Sequence, residues 1–174
     1  LLALSLVLGL LPMASAVNRE DLRVNEQNKK YGVVDKAGNV VIPIIYDYVS
    51  IEENGTIKVY VYGEKGETQG LYSWEGKEIL PAIYKYIWTQ EDGNLEVGME
   101  IPQENGEPQT KCGLLDPRGK ELLPLIYDSI DGLSEGRRRV YLNGKAGYMD
   151  ENFQVVIPYR YDPALWFEDG LAQV

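Results

Sequence analysis

The chain of 174 residues contains no histidine and only one cysteine, Cys112. Without histidine there is no Ser-His-Asp or Cys-His catalytic arrangement, no histidine-ligated zinc site and no histidine pH switch. A single cysteine excludes an intramolecular disulfide and a metal site built from two or more thiolates of the chain. The composition therefore removes several classes of enzyme and metalloprotein before any motif is considered.

Positive charge is also scarce, since 17 Lys and Arg stand against 27 Asp and Glu and give a net charge of −10. Proteins that bind nucleic acid use Lys and Arg to displace counterions from the phosphates. We therefore expect no nucleic-acid partner for this acidic protein. Apolar residues make up 44% of the chain, and its length is sufficient for a substantial core.

Residues 1–16, LLALSLVLGLLPMASA, carry no charge. An apolar run that ends at Leu11 is followed by Pro12 and by Ala14-Ser15-Ala16, which fits the small-x-small pattern of a cleavage site. The run is shorter than the about 20 residues that span a bilayer. We interpret it as a secretory signal peptide, truncated at its start, rather than as a buried N-terminal helix or strand. We expect an exported protein (secreted, periplasmic or at the cell surface) without a stable membrane span.

Residues 31–174 contain four copies of one pattern, which start near residues 31, 69, 112 and 146 and follow a lead-in segment at 17–30. Each copy has an opening glycine, followed at the same spacing in every copy by four further landmarks: a proline, a tyrosine, a second glycine and a valine. The opening glycines are Gly32, Gly70, Gly113 and Gly147, the prolines are Pro43, Pro81, Pro124 and Pro158, and the valines are Val59, Val97, Val140 and Val174. Such regular spacing indicates a tandem repeat.

The copies read as β-strands. In the first copy, the apolar runs Tyr31–Asp35 and Asn39–Pro43 flank a short loop with Gly38, which predicts a hairpin with this glycine in the left-handed conformation. In the fourth copy Phe153 replaces that glycine, and we expect Asn152 to take its place. After the tyrosine the chain bridges to the second glycine and enters a third strand, so each copy should have about three strands. No segment after residue 17 has a sustained helical period of about 3.6 residues, which predicts an all-β fold.

The joints between copies vary in length, which is typical of loop tips. The shortest joint contains Asn143-Gly144, a strong signal for a two-residue hairpin. The longest joint carries three glutamates, Glu100, Glu104 and Glu107. We expect the joints to lie as hairpin tips along one side of the molecule.

These copies resemble WG repeats, a bacterial β-repeat module. The fourth copy fits the pattern best, with Gly147-Tyr148-Met149-Asp150, Val155-Val156-Ile157-Pro158 and Gly170-Leu171-Ala172. The tryptophan of the Trp-Gly pair is absent from every copy, which indicates a divergent subgroup; its positions hold Tyr31, Gln69, Cys112 and Ala146. The resemblance implies a repetitive architecture, similar to other exported or surface-attached bacterial repeat proteins, and defines no activity.

We predict a tandem array of four β-hairpin repeats, stacked as an open twisted sheet or solenoid. A closed, propeller-like ring is the alternative, because the spacing between successive opening glycines approaches the length of a propeller blade, about 40–45 residues. Val174 has no following strand to pair with, so we expect the native chain to continue beyond it.

Residues shared by the copies are interpreted as structural. The repeated tyrosines could stack on a ligand, but we favour packing between units with the hydroxyl bonded to backbone; they are Tyr46, Tyr84, Tyr127 and Tyr161. The turn aspartates could suggest calcium, but one carboxylate per hairpin supplies too few of the roughly six to eight oxygens that calcium takes. We favour turn capping by these residues, Asp35, Asp116 and Asp150. Cys112 is expected to be a small buried apolar residue.

Residues that break the repeat are better candidates for a site. Arg137-Arg138-Arg139 could bind an anion, but we favour a solvated edge protected against aggregation. Trp88 and Trp166 lie in the bridges of two copies; exposed, they would serve as platforms for sugar or peptide, and buried, they would fill the gap between units, which we favour. A hydrolase with two carboxylates would need a defined pair in a cleft, and nothing singles one out among the glutamates of the longest joint.

We therefore predict no enzyme, and we assign no catalytic, cofactor-binding or metal-binding residue and no cofactor. The favoured function is a non-catalytic interaction module, secreted or at the cell surface, that binds a protein or a glycan. The alternative is a structural spacer or stalk that links the envelope to a domain missing from this fragment. The sequence predicts neither the ligand nor the oligomeric state.

Overall fold

A computed structural model describes residues 17–103 and 106–174, so the predicted signal peptide and Glu104 lie outside the described residues. This part of the chain contains one short 3-10 turn, Arg19–Asp21, and fifteen strands. In chain order the strands are β1 (Leu22–Gln27), β2 (Lys30–Asp35), β3 (Val40–Tyr46), β4 (Tyr48–Ile51), β5 (Thr56–Gly63), β6 (Gly66–Ser73), β7 (Glu78–Tyr84), β8 (Tyr86–Thr89), β9 (Leu95–Gln103), β10 (Gly106–Leu115), β11 (Glu121–Tyr127), β12 (Ser129–Ser134), β13 (Arg137–Leu142), β14 (Lys145–Met149) and β15 (Val155–Tyr161). The predicted all-β fold is confirmed.

The strands form four antiparallel sheets, in which strands that pair are also consecutive in the chain. The first sheet is β1-β2-β3, the second β4-β5-β6-β7, the third β8-β9-β10-β11 and the fourth β12-β13-β14-β15. Over the described residues, no helix has the length and apolar character required to cross a membrane.

Each full sheet combines strands from two neighbouring copies of the repeat. In the second sheet, β4 and β5 come from the first copy, whereas β6 and β7 come from the second. The prediction of about three strands per copy is wrong, because the bridge after the tyrosine is itself a strand: in β4, Val49 pairs with Val59 of β5. The first sheet is completed by β1, which lies in the lead-in segment.

The opening glycine of each copy lies at a β-bulge beside the landmark proline. Between the pairs Tyr31↔Tyr46 and Val33↔Ile42, the register shifts and the two backbones come close together. A Cβ atom on Gly32 would lie 2.5 Å from the carbonyl oxygen of Ile42, and one on Gly147 would lie 2.6 Å from that of Ile157. Only glycine permits this approach, which explains its fixed distance from the proline.

Three of the four core clusters lie between successive sheets, and we name these places the first, second and third junctions in chain order. The landmark valines Val59, Val97 and Val140 are completely buried in them. Turns also contribute, since a Cβ atom on Gly76 of the second sheet would lie 2.5 Å from the carbonyl oxygen of Val41 in the first. Among the described residues, no core cluster joins the first sheet to the fourth. The sheets therefore form an open array rather than a closed ring.

Candidate functional site

The turn aspartates cap their hairpins. In each case one carboxylate oxygen accepts a backbone N–H four residues further on, from Asn39 to Asp35 at 2.8 Å and from Lys120 to Asp116 at 2.9 Å. The fourth copy has the same bond from Gln154 to Asp150. The predicted capping role is confirmed. In the described part of the chain, no group of three or more Cys, Asp or Glu side chains could hold a metal ion.

The fourth copy differs from the expectation for its first turn. Phe153 itself has a φ of 60°, so Asn152 does not replace the missing glycine. The strain of a left-handed phenylalanine is offset by packing, because its ring contacts the core of the third junction.

The repeated tyrosines are core residues to different degrees, with Tyr46 and Tyr127 buried and Tyr84 and Tyr161 half-buried. The expected bond from hydroxyl to backbone is wrong for Tyr46, whose hydroxyl lies 2.7 Å from that of Tyr72. Tyr72 in turn donates to Glu78 at 2.7 Å, and burial together with these bonds raises the pKa of Tyr72. Cys112 is completely buried, as expected, and burial raises the pKa of its thiol to about 11.

In three copies a lysine and an aspartate form an ion pair near the hairpin tip that precedes the copy, a side that we call the tip side. The sequence analysis missed this motif. Lys30 Nζ lies 2.5 Å from Asp47 Oδ1, and Lys111 pairs in the same way with Asp128. The second carboxylate oxygen of Asp128 accepts the N–H of Gly144 at 2.7 Å and so fixes the next hairpin tip. In the sequence, the lysine lies two residues before the opening glycine, and the aspartate directly follows the landmark tyrosine.

The second copy lacks this ion pair, because Thr68 and Lys85 occupy the two positions. Lys85 pairs instead with Glu100 of the third sheet, with Nζ and Oε1 2.5 Å apart. Beside this pair, a cavity of about 390 Å³ opens between the second and third sheets, with the apolar side chains of Ile83 and Met99 in its lining. We name it the tip groove; Lys65 and Glu100 of its lining also border a second depression, together with Pro102, Glu107 and Pro108.

The arginine triplet is not a solvated edge, and this prediction is wrong. Arg138 is 1% exposed and occupies the repeat position that holds Ile57 and Leu95 in earlier copies. Its guanidinium donates to Asp92 Oδ2 at 2.5 Å and to the carbonyl oxygen of Asp131 at 2.7 Å. Strand alternation directs residue 138 to the third sheet, where acceptors offset the burial of its charge.

Arg139 points to the opposite face of the fourth sheet. Its Nε donates to Asp131 Oδ2 at 2.6 Å, and its guanidinium lies 4.4 Å from the ring centre of Trp166. Arg137 donates to the neighbouring carbonyl oxygen of Gly136. The three arginines therefore have three different environments and form no common anion site.

A polar network extends from Arg138 through the third junction. Gln90 accepts a hydrogen bond from Arg138 and donates from Nε2 to Glu96 Oε2 at 3.1 Å. The other oxygen of Glu96 accepts the hydroxyl of Tyr86, also at 3.1 Å. Burial raises the pKa of Glu96, although the bonds from Gln90 and Tyr86 oppose that rise.

The two bridge tryptophans are exposed, so the favoured prediction that they are buried is wrong. Trp88 is 59% exposed and Trp166 is 44% exposed. Trp88 stacks on Tyr86, with the ring centres 4.3 Å apart and the planes inclined by 25°. Trp74, in contrast, is half-buried and donates its indole N–H to backbone carbonyls. The bridge of the second copy forms the short edge strand β8, and the side chain of Trp88 on this strand lies outside the core.

In a comparison with protein families, a profile described as WG containing repeat matches residues 31–64, 113–145 and 147–174. Residues 65–112 lie outside the matched segments. They include the whole second copy and all residues that line the tip groove, as well as the exposed Trp88. A comparison with curated proteins and one with solved structures found no match.

Proposed function

Because the chain belongs to the WG containing repeat family, a family of repeat modules, we propose that it acts by binding a protein or a glycan rather than by catalysis. The absence of histidine from the chain supports a non-catalytic role. The apolar leader pattern of residues 1–16 supports export, with action at the cell surface or outside the cell.

The observation that carries the binding proposal is the tip groove. Landmark positions are occupied alike in all copies and maintain the fold, whereas the second copy departs from the repeat at Thr68 and Lys85. The groove that accompanies this departure combines apolar Ile83 and Met99 with the ion pair of Lys85 and Glu100. A concave site with an apolar lining and a few fixed polar groups is typical of ligand recognition.

The test compares two isoleucines at the same repeat position, each directly before the landmark tyrosine of its copy. Ile83 lines the groove and is 50% exposed, whereas Ile126 is 48% exposed and is not among the groove residues. Wild type is first screened for saturable ligands on a displayed peptide library and a glycan array. We expect a ligand whose affinity falls by at least about tenfold in Ile83→Asp and is unchanged in Ile126→Asp.

Equal losses in the two variants, or no saturable ligand in either screen, would overturn the proposal. Circular dichroism of both variants checks that the fold is retained. Because both side chains are about half exposed, we expect little change in stability from either substitution.

The spacer remains the second candidate, and the continuous stacking of the sheets through three junctions favours it. A spacer requires length and stiffness but no particular groove. Replacing the second copy by a duplicate of the third preserves the length of the array while removing the tip groove. A spacer keeps its function in this variant, whereas a binding module loses its ligand.

A further inference from the structure

Trp88 is the most prominent aromatic side chain on the surface of the third sheet. With 59% of its surface in water, it forgoes much of the stabilisation that burial of an indole provides. One face of the ring is covered by Tyr86, so the opposite face is the open one. The pair of Tyr86 and Trp88, named here the aromatic platform, therefore presents a flat apolar surface to solvent.

The aromatic platform is held in place from below. Tyr86 lies across Gly98 of the adjacent strand, where a Cβ atom would collide with Cε1 of the tyrosine ring. The hydroxyl of Tyr86 is bonded to the buried carboxylate of Glu96. Glycine thus makes space for the ring, and Glu96 fixes its orientation. A rigid aromatic surface loses little conformational entropy when a ligand covers it.

Polar residues follow Trp88 closely in the chain. Gln90, which follows the strand that carries Trp88, lines a depression of about 230 Å³ together with Glu91, Asp92 and Gly132. The amide of Gln90 is already bonded within the protein, whereas the carboxylate oxygens of Glu91 and Asp92 can accept further hydrogen bonds from hydroxyl groups. A flat apolar surface beside a shallow group of acceptors matches the chemistry of a sugar ring, which has an apolar C–H face and a rim of hydroxyls.

We propose that the aromatic platform binds a neutral glycan, with a pyranose ring stacked on the open face of Trp88 and its hydroxyls directed to the carboxylates of Glu91 and Asp92 in the depression. The C–H bonds of the sugar face meet the negative face of the indole ring. The carboxylates of Glu91 and Asp92 and the net charge of −10 disfavour acidic sugars. The assignment rests on the proposed binding function and adds a site separate from the tip groove.

The experiment titrates the full chain with chitotetraose and with cellotetraose, and with tetragalacturonate as the acidic comparison. Binding is followed by calorimetry and by saturation-transfer NMR of the sugar protons. We expect saturable binding of at least one neutral sugar, weakened by about tenfold or more in Trp88→Ala and partly retained in Trp88→Phe. Tetragalacturonate is expected to bind more weakly than the neutral sugars.

Trp166→Ala is the matched control, since Trp166 is also exposed but lies against Arg139. It should leave sugar binding unchanged. Absence of binding to both neutral sugars, equal losses in Trp88→Ala and Trp166→Ala, or tighter binding of tetragalacturonate would overturn the glycan assignment. If a peptide ligand instead depends on Trp88, the platform is a protein-binding site and the assignment is wrong.

Failure here is distinguishable from failure of the proposed function. A ligand that depends on Ile83 still supports a binding module when no sugar binds to the aromatic platform. Circular dichroism and the thermal midpoint of Trp88→Ala check folding, and both should match wild type because the replaced side chain is mostly exposed.

Discussion

The first and third junctions use the same repeat position in opposite ways. In the first junction, this position is Ile57, which is completely buried among apolar side chains. In the third junction, it is Arg138, which is equally inaccessible but bonded to Gln90, Asp92 and a backbone carbonyl. The comparison shows that the array accepts a buried charge when the preceding sheet supplies its acceptors.

The largest effect is expected for Arg138→Ala. Removing this buried side chain leaves a cavity and takes a donor away from Gln90 and from the carbonyl oxygen of Asp131, so we expect the free energy of unfolding to fall by about 2–5 kcal/mol. Urea denaturation followed by tryptophan fluorescence measures this change. A loss below about 1 kcal/mol would show that the hydrogen bonds of Arg138 do not stabilise the folded state.

Replacing the three charged side chains of this network should reduce the difference between the two junctions. In the triple variant Arg138→Leu, Asp92→Asn and Glu96→Gln, an apolar side chain occupies the core position and no carboxylate loses its partner. Apolar replacement of a buried ion pair is often neutral or stabilising, so we expect most of the loss of Arg138→Ala to be recovered. Denaturation of both variants under identical conditions gives the answer; a triple variant as unstable as Arg138→Ala contradicts it.

A smaller effect that depends on pH distinguishes Glu96 from surface carboxylates. Its folded pKa is raised above the ordinary value of 4.5 because the side chain is buried. The folded state therefore takes up a proton at higher pH than the unfolded state, and the wild type gains stability relative to Glu96→Gln as the pH falls from neutral towards 4.5. Denaturation across this range measures the difference between the two proteins. Glu121→Gln, at an exposed position, is the control. A stability difference between wild type and Glu96→Gln that does not change with pH would contradict the raised pKa of Glu96.

The smallest effects are expected for the Lys–Asp ion pairs of the tip side, which the first and third junctions have in common. Lys30→Met and Lys111→Met should each reduce the free energy of unfolding only slightly, because these ion pairs are near the surface. Lys111 should give the larger change, since its side chain is 15% exposed and that of Lys30 is 45% exposed. Added salt should diminish both effects. A loss that salt does not change would contradict a surface ion pair.

The repeat, the hairpins and the all-β class were predictable because turn residues act locally. Asp35 and Gly38 define a hairpin whatever lies around them. The strand β4 was not predicted, because four residues are too few for a clear alternation and pairing with β5 stabilises them.

The candidate site was less predictable, because it depends on contacts between sheets. The burial of Arg138 follows from Asp92, 46 residues away in the chain, and no local pattern records that contact. The exposure of Trp88 likewise follows from the position of β8 at the edge of its sheet. The ion pair of Lys111 and Asp128, in contrast, recurs at fixed spacing and could have been found by aligning charges as well as glycines.

The pairing of each strand with its neighbour in the chain has a consequence for how the protein folds. Strand pairs are closed by short turns, so the loop entropy lost at each step is small, and rates among β-proteins are highest when contacts are local. A chain whose N-terminal part becomes available first can complete one sheet before the residues of the next sheet are available. The apolar face of each completed sheet is then available for the next sheet to pack on, and the array assembles from the N-terminal sheet to the C-terminal one.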